Sequence, residues 1–407
     1  MTRTALPRHR ARRAATVLTL TATALTAVPA ASSARPAPAS EVVTWAASAD
    51  RLGEAVPGRT HRVVIHTSAG GRDLRVRLSN AFGEAPVTFG RAYAGPRAAG
   101  AAVQPGHNRP LTFRGAASVT VPPGGSVYSD PLPGTVRPGA DLAVSVYVQD
   151  AAGTATGHVR GNQTSYIAPS GDHAVEESDA AYTERTTFRH YLDAVVVRAP
   201  AGTGAVVAFG DSITDGSGST PDTDRRWPDF LAARLRDDRA TSLKGVANAG
   251  ISGNKVLGDG AGVSALKRLD RDVLSQRGLR TVILLEGVND IKAVPAPTAA
   301  ELIDGYRQII ARTHAAGACV VGATVMPYEG WGEWKEAGEA VRQEVNAFIR
   351  DSGAFDAVVD FDALVRDPAA PAKMLPVYDS GDHLHPNDAG MEAMGEHVEP
   401  RALRCSR

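Results

Sequence analysis

The sequence predicts an α/β protein: a doubly wound, five-stranded parallel sheet in three layers, preceded by an all-β sandwich of jelly-roll type. Three observations predict it. From residue 203 onward, apolar runs of strand length alternate with longer segments of helical period, the pattern of a parallel sheet built from βαβ units. Over 41–200 no helical period is found, and short alternating runs are separated by Gly, Pro and Asn turns. The change falls near 199–204, so the 407 residues divide into two regions, each long enough for its own core.

Taken in order, residues 1–34 read as a signal peptide and stand outside the fold. Arg3, Arg8, Arg10, Arg12 and Arg13 precede an apolar stretch over 14–28, and small residues offer cleavage after Ala30 or Ala34. That stretch is short and Thr-rich for a membrane span, so secretion without stable membrane insertion is expected, with Sec and Tat export both open. Residues 35–40 are a Pro/Ala linker. The 41–200 region shows strand runs such as Arg62-Val63-Val64-Ile65-His66, Leu74-Arg75-Val76-Arg77-Leu78 and Ala194-Val195-Val196-Val197, with turns at Pro122-Pro123-Gly124-Gly125 and Pro138-Gly139. Beyond 203, strands are expected near 205, 243, 281, 319 and 357. Helices are expected over 228–235, 262–274, 299–316, 335–350 and 387–397.

Charge excludes one class of partner. The chain holds 44 basic and 44 acidic residues; removing 1–34 takes away five arginines and no acid, leaving 39 basic against 44 acidic. Nucleic acid, which requires a basic face, is not an expected partner. The eleven histidines show no His-x-x-x-His spacing, and two cysteines cannot make a zinc site. No glycine loop fits a phosphate cradle, so neither metal nor cofactor is expected. Cys319 opens a strand and Cys405 follows the last helix. A bridge between them at the lower edge of the sheet is one reading; a buried free thiol and a tail thiol is the other.

The chemistry is carried by four blocks. Gly210-Asp211-Ser212-Ile213-Thr214 follows the apolar run Ala205-Val206-Val207-Ala208-Phe209, so Ser212 sits at the carboxyl end of a strand, where open α/β sheets place their sites. Asp382-His383-Leu384-His385-Pro386 supplies an acid three residues before an imidazole. A serine hydroxyl needs a base to take its proton, and the base needs a carboxylate to orient it. Between them, Asn248-Ala249-Gly250 and Gly287-Val288-Asn289-Asp290 each follow an apolar run. The N–H groups of Ser212 and Gly250 and the Asn289 amide could receive a developing oxyanion. As a plain structural residue, Ser212 would be a helix N-cap and Gly250 a turn glycine; Asp379 could replace Asp382, and His383 reads as structural or cleft-lining. Asp211 and Asp290 read as carboxylates bracing turns, and Asn254 as a brace of the second block.

With Ser212, Gly250, Asn289 and His385 in this order, residues 203–400 resemble the SGNH, or GDSL, hydrolase family. The wider run Gly-Asp-Ser-Ile-Thr-Asp-Gly is similar to its secreted actinobacterial branch with an extra N-terminal β domain. The resemblance implies a flavodoxin-like hydrolase domain over 203–407, with 41–200 as an accessory sandwich. It implies a serine esterase (a lipase/acylhydrolase in the broad sense) with Ser212, Asp382 and His385 as its triad. Short acyl groups on a carbohydrate or polysaccharide are the expected substrate. A lipid-directed esterase or lysophospholipase is the alternative within the family; a carbohydrate- or surface-binding protein with a secondary hydrolase domain is the alternative outside it. Trp227, Tyr328, Trp331 and Trp334 either wall the substrate site or pack the two regions together. The oligomeric state is left open.

Overall fold

The computed structural model describes residues 1, 2, 4, 5 and 40–404. Apart from its first few residues, the expected signal peptide lies outside them, as do the linker up to Ala39 and also Cys405. The chain divides into units Met1–Ala37 and Pro38–Arg407, and everything that follows belongs to the second.

The N-terminal part is β-rich. One antiparallel sheet runs in the order Ser40–Ala46, Leu192–Ala199, Gly71–Ser79, Leu132–Val136, with Ser126–Tyr128 also beside Gly71–Ser79. A larger sheet has Arg59–His66, Asp141–Asp150 and Val87–Ala99 at its centre. The two bury a common core: Leu74, Val76, Leu78, Val195 and Val197 from the first, and Val63, Ile65, Phe89, Val144 and Val146 from the second. The shared core makes the two sheets a facing pair.

The C-terminal part contains a five-stranded, all-parallel sheet in the order Leu243–Gly250, Gly204–Gly210, Leu279–Leu285, Cys319–Ala323, Ala357–Val359. These five strands lie where the apolar runs placed them. Successive side chains of a strand point to opposite faces. Val207 and Phe209 accordingly pack with Leu302, Tyr306 and Ile309 of the helix Ala299–Ala315 and with Val345 and Ile349 of Glu336–Asp351. Val206 and Ala208 face Trp227, Leu231 and Leu235 of Trp227–Asp237 and Met391 and Met394 of Asp388–His397. Burial on both faces is why the strands read as unbroken apolar runs. The expected 262–274 helix is Ala265–Leu269 continued by a π-helical turn over Asp270–Leu274. Helix Ala299–Ala315 begins at a reciprocal cap, in which Thr298 Oγ1 accepts the Glu301 N–H and Glu301 accepts the Thr298 N–H. The strand order reverses at Gly204–Gly210, and a doubly wound sheet opens its ligand crevice there.

The two parts share a core. Val42, Val43, Ala194 and Val196 of the first β sheet belong to the same buried cluster as Val207, Phe209 and Ala247. Strand Leu192–Ala199 therefore sends Val195 and Val197 one way and Ala194 and Val196 the other, and neither face meets water. Strand Ser40–Ala46 closes over the outer edge of Leu243–Gly250. A Cβ on Gly245 would lie 2.3 Å from the Val43 carbonyl oxygen, so only glycine permits the approach. Ser68 Oγ accepts the Val246 N–H at 2.8 Å and donates to the Thr44 carbonyl at 2.7 Å, which satisfies groups that an open sheet edge would leave unpaired. Cys319 is disulfide-bonded, which settles it against the free thiol.

Candidate active site

The Gly204–Gly210 strand ends in a turn too tight for a side chain. A Cβ on Gly210 would lie 2.2 Å from Thr214 Oγ1 and 2.5 Å from the Leu285 carbonyl. The chain then enters the short helix Ser212–Asp215, capped by Asp211, whose Oδ1 accepts the Ile213 N–H at 2.9 Å. This leaves the Ser212 hydroxyl at the floor of a cleft of about 580 Å³.

The loop before helix Asp388–His397 brings the imidazole to it. Ser212 Oγ lies 2.8 Å from His385 Nε2, and His385 Nδ1 lies 2.6 Å from Asp382 Oδ2. Asp382 Oδ1 accepts the N–H groups of Leu384 and His385, at 2.9 and 2.8 Å, which fixes the carboxylate from behind. Burial alone would push Asp382 up. The backbone N–H and ring of His385, with the Leu384 N–H, outweigh it and hold the carboxyl below its ordinary value. A carboxylate only accepts, so Nδ1 carries the proton and Nε2 is left basic toward the serine. Asp379 is not a substitute: it pairs with His383 Nδ1 at 2.6 Å.

The expected oxyanion donors are only partly brought together. Asn289 lines the cleft, with its amide donating to the Asn254 carbonyl at 2.9 Å and making a longer contact of 3.4 Å to Asp211. Asn254 is the brace it was expected to be: its amide donates to the carbonyls of Ala261 and Val263. Gly250 is a correction. Its N–H is consumed by Asn248 Oδ1 at 2.9 Å, and its missing side chain makes room for the Asp215 backbone nitrogen, which a Cβ would approach to 2.3 Å. Gly253, three residues on, lines the cleft at φ +81°, and no group among the described residues accepts its N–H. The run Asn248-Ala249-Gly250-Ile251-Ser252-Gly253 holds two glycines, and only the path of the chain distinguishes them. The Ser212 N–H is likewise unclaimed among the described residues.

Three of the four aromatic candidates are elsewhere. Trp227 is fully buried edge-on to Phe361, its Nε1–H reaching Thr214 Oγ1 at 3.4 Å, so it supports the serine turn from behind. Tyr328 is fully buried, and Trp334 packs on the core. Trp331 stands edge-on to His385, with ring centroids 5.9 Å apart, and Lys292 Nζ lies 4.7 Å over its ring. In place of aromatics, the β-rich part lends the cleft Asp50, Arg51, His158 and Arg160, none of which carries a motif. Among the described residues one group, His66, Asp141 and Asp224, brings metal-ligand atoms within 4.8 Å of one another. It lies apart from the cleft, and Arg97, 3.2 Å from Asp141, already supplies a cation.

Asp211 carries a pH signature. Burial pushes it up to about 7 from 3.8, against the Ile213 N–H and Lys292, which pull it down. The folded chain thus keeps a proton that the unfolded chain releases above about pH 4, and stability contributed by this group falls as pH rises from there through about 7. Asn cannot titrate. The thermal midpoint of Asp211→Asn minus that of the wild type is expected to be more positive at pH 8 than at pH 4.5 by scanning calorimetry; a pH-independent difference would refute the assignment.

A hydroxyl, an imidazole and a carboxylate in hydrogen-bonded line, at the carboxyl end of a parallel sheet, are what a serine hydrolase requires. Residues 208–393 match the GDSL-like lipase/acylhydrolase family, so this part of the chain is an SGNH/GDSL hydrolase domain. Among solved structures it is similar to an aryl esterase of M. smegmatis (18% identity, 49% of this chain and 100% of that one, TM-score 0.40). It is also similar to a carbohydrate acetylesterase from Sinorhizobium meliloti (17%, 47% and 94%, 0.39) and a GDSL-like lipase from Bacteroides thetaiotaomicron (21%, 49% and 88%, 0.38). No curated protein matches the chain.

Proposed function

We propose that the chain is a secreted serine esterase that removes short acyl groups from a polar alcohol such as a sugar, through an acyl-enzyme. The observation that carries this is the Ser212–His385–Asp382 line opening into one cleft. His385 Nε2 takes the Ser212 proton as Oγ attacks the ester carbonyl, and Asp382 stabilises the imidazolium. The N–H groups of Ser212 and Gly253 receive the oxyanion, joined by the Asn289 amide hydrogen that now makes only the long 3.4 Å contact to Asp211. His385 then protonates the leaving alcohol, and by the same route activates the water that releases the acid. The cleft walls favour a polar alcohol: Asp50, Arg51, Arg160, Ser217 and Ser252 are among them. The arginine cluster and apolar stretch of 1–34 support export, as does a disulfide at Cys319.

Hydrolysis of p-nitrophenyl acetate, butyrate and palmitate, beside acetylated xylan and lysophosphatidylcholine, tests the reading. Acetate is expected to be the fastest of the three aryl esters, with acetate released from the xylan. A preference for palmitate or the lysolipid would move the protein to the lipid-directed reading, and inactivity on all five would overturn the hydrolase.

A further inference from the structure

We propose that His158, in the strand Thr154–His158 of the β-rich part, is a positioning residue for the oxyanion donors, so that this part belongs to the catalytic centre and is not an appended binding module. The inference rests on the esterase reading above.

His158 is 4% exposed. Its Nδ1 lies 2.9 Å from the Ser48 carbonyl, and its Nε2 lies 2.9 Å from Asp215 Oδ1 and 3.0 Å from the Arg160 carbonyl. All three partners only accept, so each ring nitrogen is placed to donate. Its carboxylate partner, Asp215, is the last residue of the Ser212–Asp215 helix and equally buried. The other Asp215 oxygen accepts two bonds from Ser252, the backbone N–H at 3.0 Å and the hydroxyl at 2.7 Å. Ser252 directly precedes Gly253. One buried carboxylate therefore ties the turn that carries the nucleophile to the loop that carries an oxyanion donor, and a side chain from the other half of the chain holds that carboxylate.

Two physical consequences follow from removing the imidazole. The Ser252–Gly253 loop loses its anchor, and misplacing a reacting group by about 1 Å costs on the order of 10²-fold in rate. Asp215 also becomes a less compensated buried anion beside the place where negative charge develops, which opposes the transition state and not the bound ester. Loss therefore falls on kcat more than on KM.

The experiment uses the full chain with His158→Gln, Ser252→Ala and the double variant. The readouts are kcat and KM on p-nitrophenyl acetate, the rate at which a fluorophosphonate labels Ser212, and the thermal midpoint. His158→Gln is expected to lower kcat by about 10- to 100-fold with KM nearly constant, and to slow labelling in parallel, since phosphonylation uses the same donors. Ser252→Ala, which leaves His158 in place, is expected to lower kcat by a smaller factor, and the double variant to fall short of the product of the two. An unchanged kcat in His158→Gln, or independent effects in the double variant, overturns the inference. If His158→Gln does not fold, a normal kcat in Ser252→Ala alone overturns it. A wild type that neither turns over nor labels at Ser212 sinks the esterase reading itself, a different result from a wild type that labels and a His158 variant that labels equally well.

Discussion

Ser212→Ala is expected to reduce turnover of p-nitrophenyl acetate by about 10⁴- to 10⁶-fold. The hydroxyl is the one nucleophile aimed at by His385 Nε2, and no other side-chain oxygen is hydrogen-bonded to that nitrogen among the described residues. Without it the imidazole and the oxyanion donors remain, and what they retain is ordinary binding and base assistance to water. Stability should hardly move. The change removes one partly exposed hydrogen bond, worth about 1 kcal/mol net, and leaves Asp211, which caps the helix, in place. Steady-state rates with a matched thermal melt decide the matter. Near-normal activity in a folded Ser212→Ala protein would remove Ser212 from the mechanism.

The second large effect is expected at Arg268, which is fully buried and far from any solvent counter-ion. Its guanidinium donates to the carbonyls of Gly210 and Ala249 at 2.8 and 2.7 Å, to Asn254 Oδ1 at 2.8 Å and to Ser48 Oγ at 3.1 Å. It also lies 3.3 Å from Glu286, 3.4 Å from Asp272 and 4.4 Å over the Phe209 ring. It therefore binds together the ends of the serine strand and the second-block strand, the brace of Asn289, and the β-rich part. Burial, and then the neighbouring Asp211, already push Glu286 well above its ordinary value. Arg268→Met would fill similar space but leave two backbone carbonyls, an amide oxygen and an acidic pocket without their cation. Breaking a buried pair from one side costs about 3–5 kcal/mol, and equilibrium urea unfolding is expected to show a loss of that size. A midpoint equal to that of the wild type would mean that the pocket refills with protons and water at no net cost.

Much of this was legible in the chain because it is local. A strand buried on both faces must be an unbroken apolar run, so Ala205-Val206-Val207-Ala208-Phe209 and its four counterparts could be located without knowing their neighbours. Asp382 and His385 lie on one short loop, and their pairing is set by three residues of backbone. Asn289 and Ser212 each follow a strand of the same sheet, and a parallel sheet brings all such ends to one side.

What required long-range packing could not be read. Gly250 and Gly253 are alike in sequence; the approach of the Thr214–Asp215 backbone uses one, and the cleft receives the other. Trp227 looks like a substrate platform until the two sheet faces are assigned, and it then lies inside the core. The run Ala194-Val195-Val196-Val197 reads as any sandwich strand. Its alternate side chains in fact serve two cores, because the β-rich part is packed against the edge of the parallel sheet. His158 lies 57 residues from Asp215, with no spacing to announce it, and burial of both groups makes their pairing obligatory. The strands, the serine turn and the Asp–His loop are local features, each set by neighbours in the chain. Which glycine lines the cleft, and that part of the cleft wall comes from the other half of the protein, follow only from tertiary packing, since those depend on which buried surfaces meet.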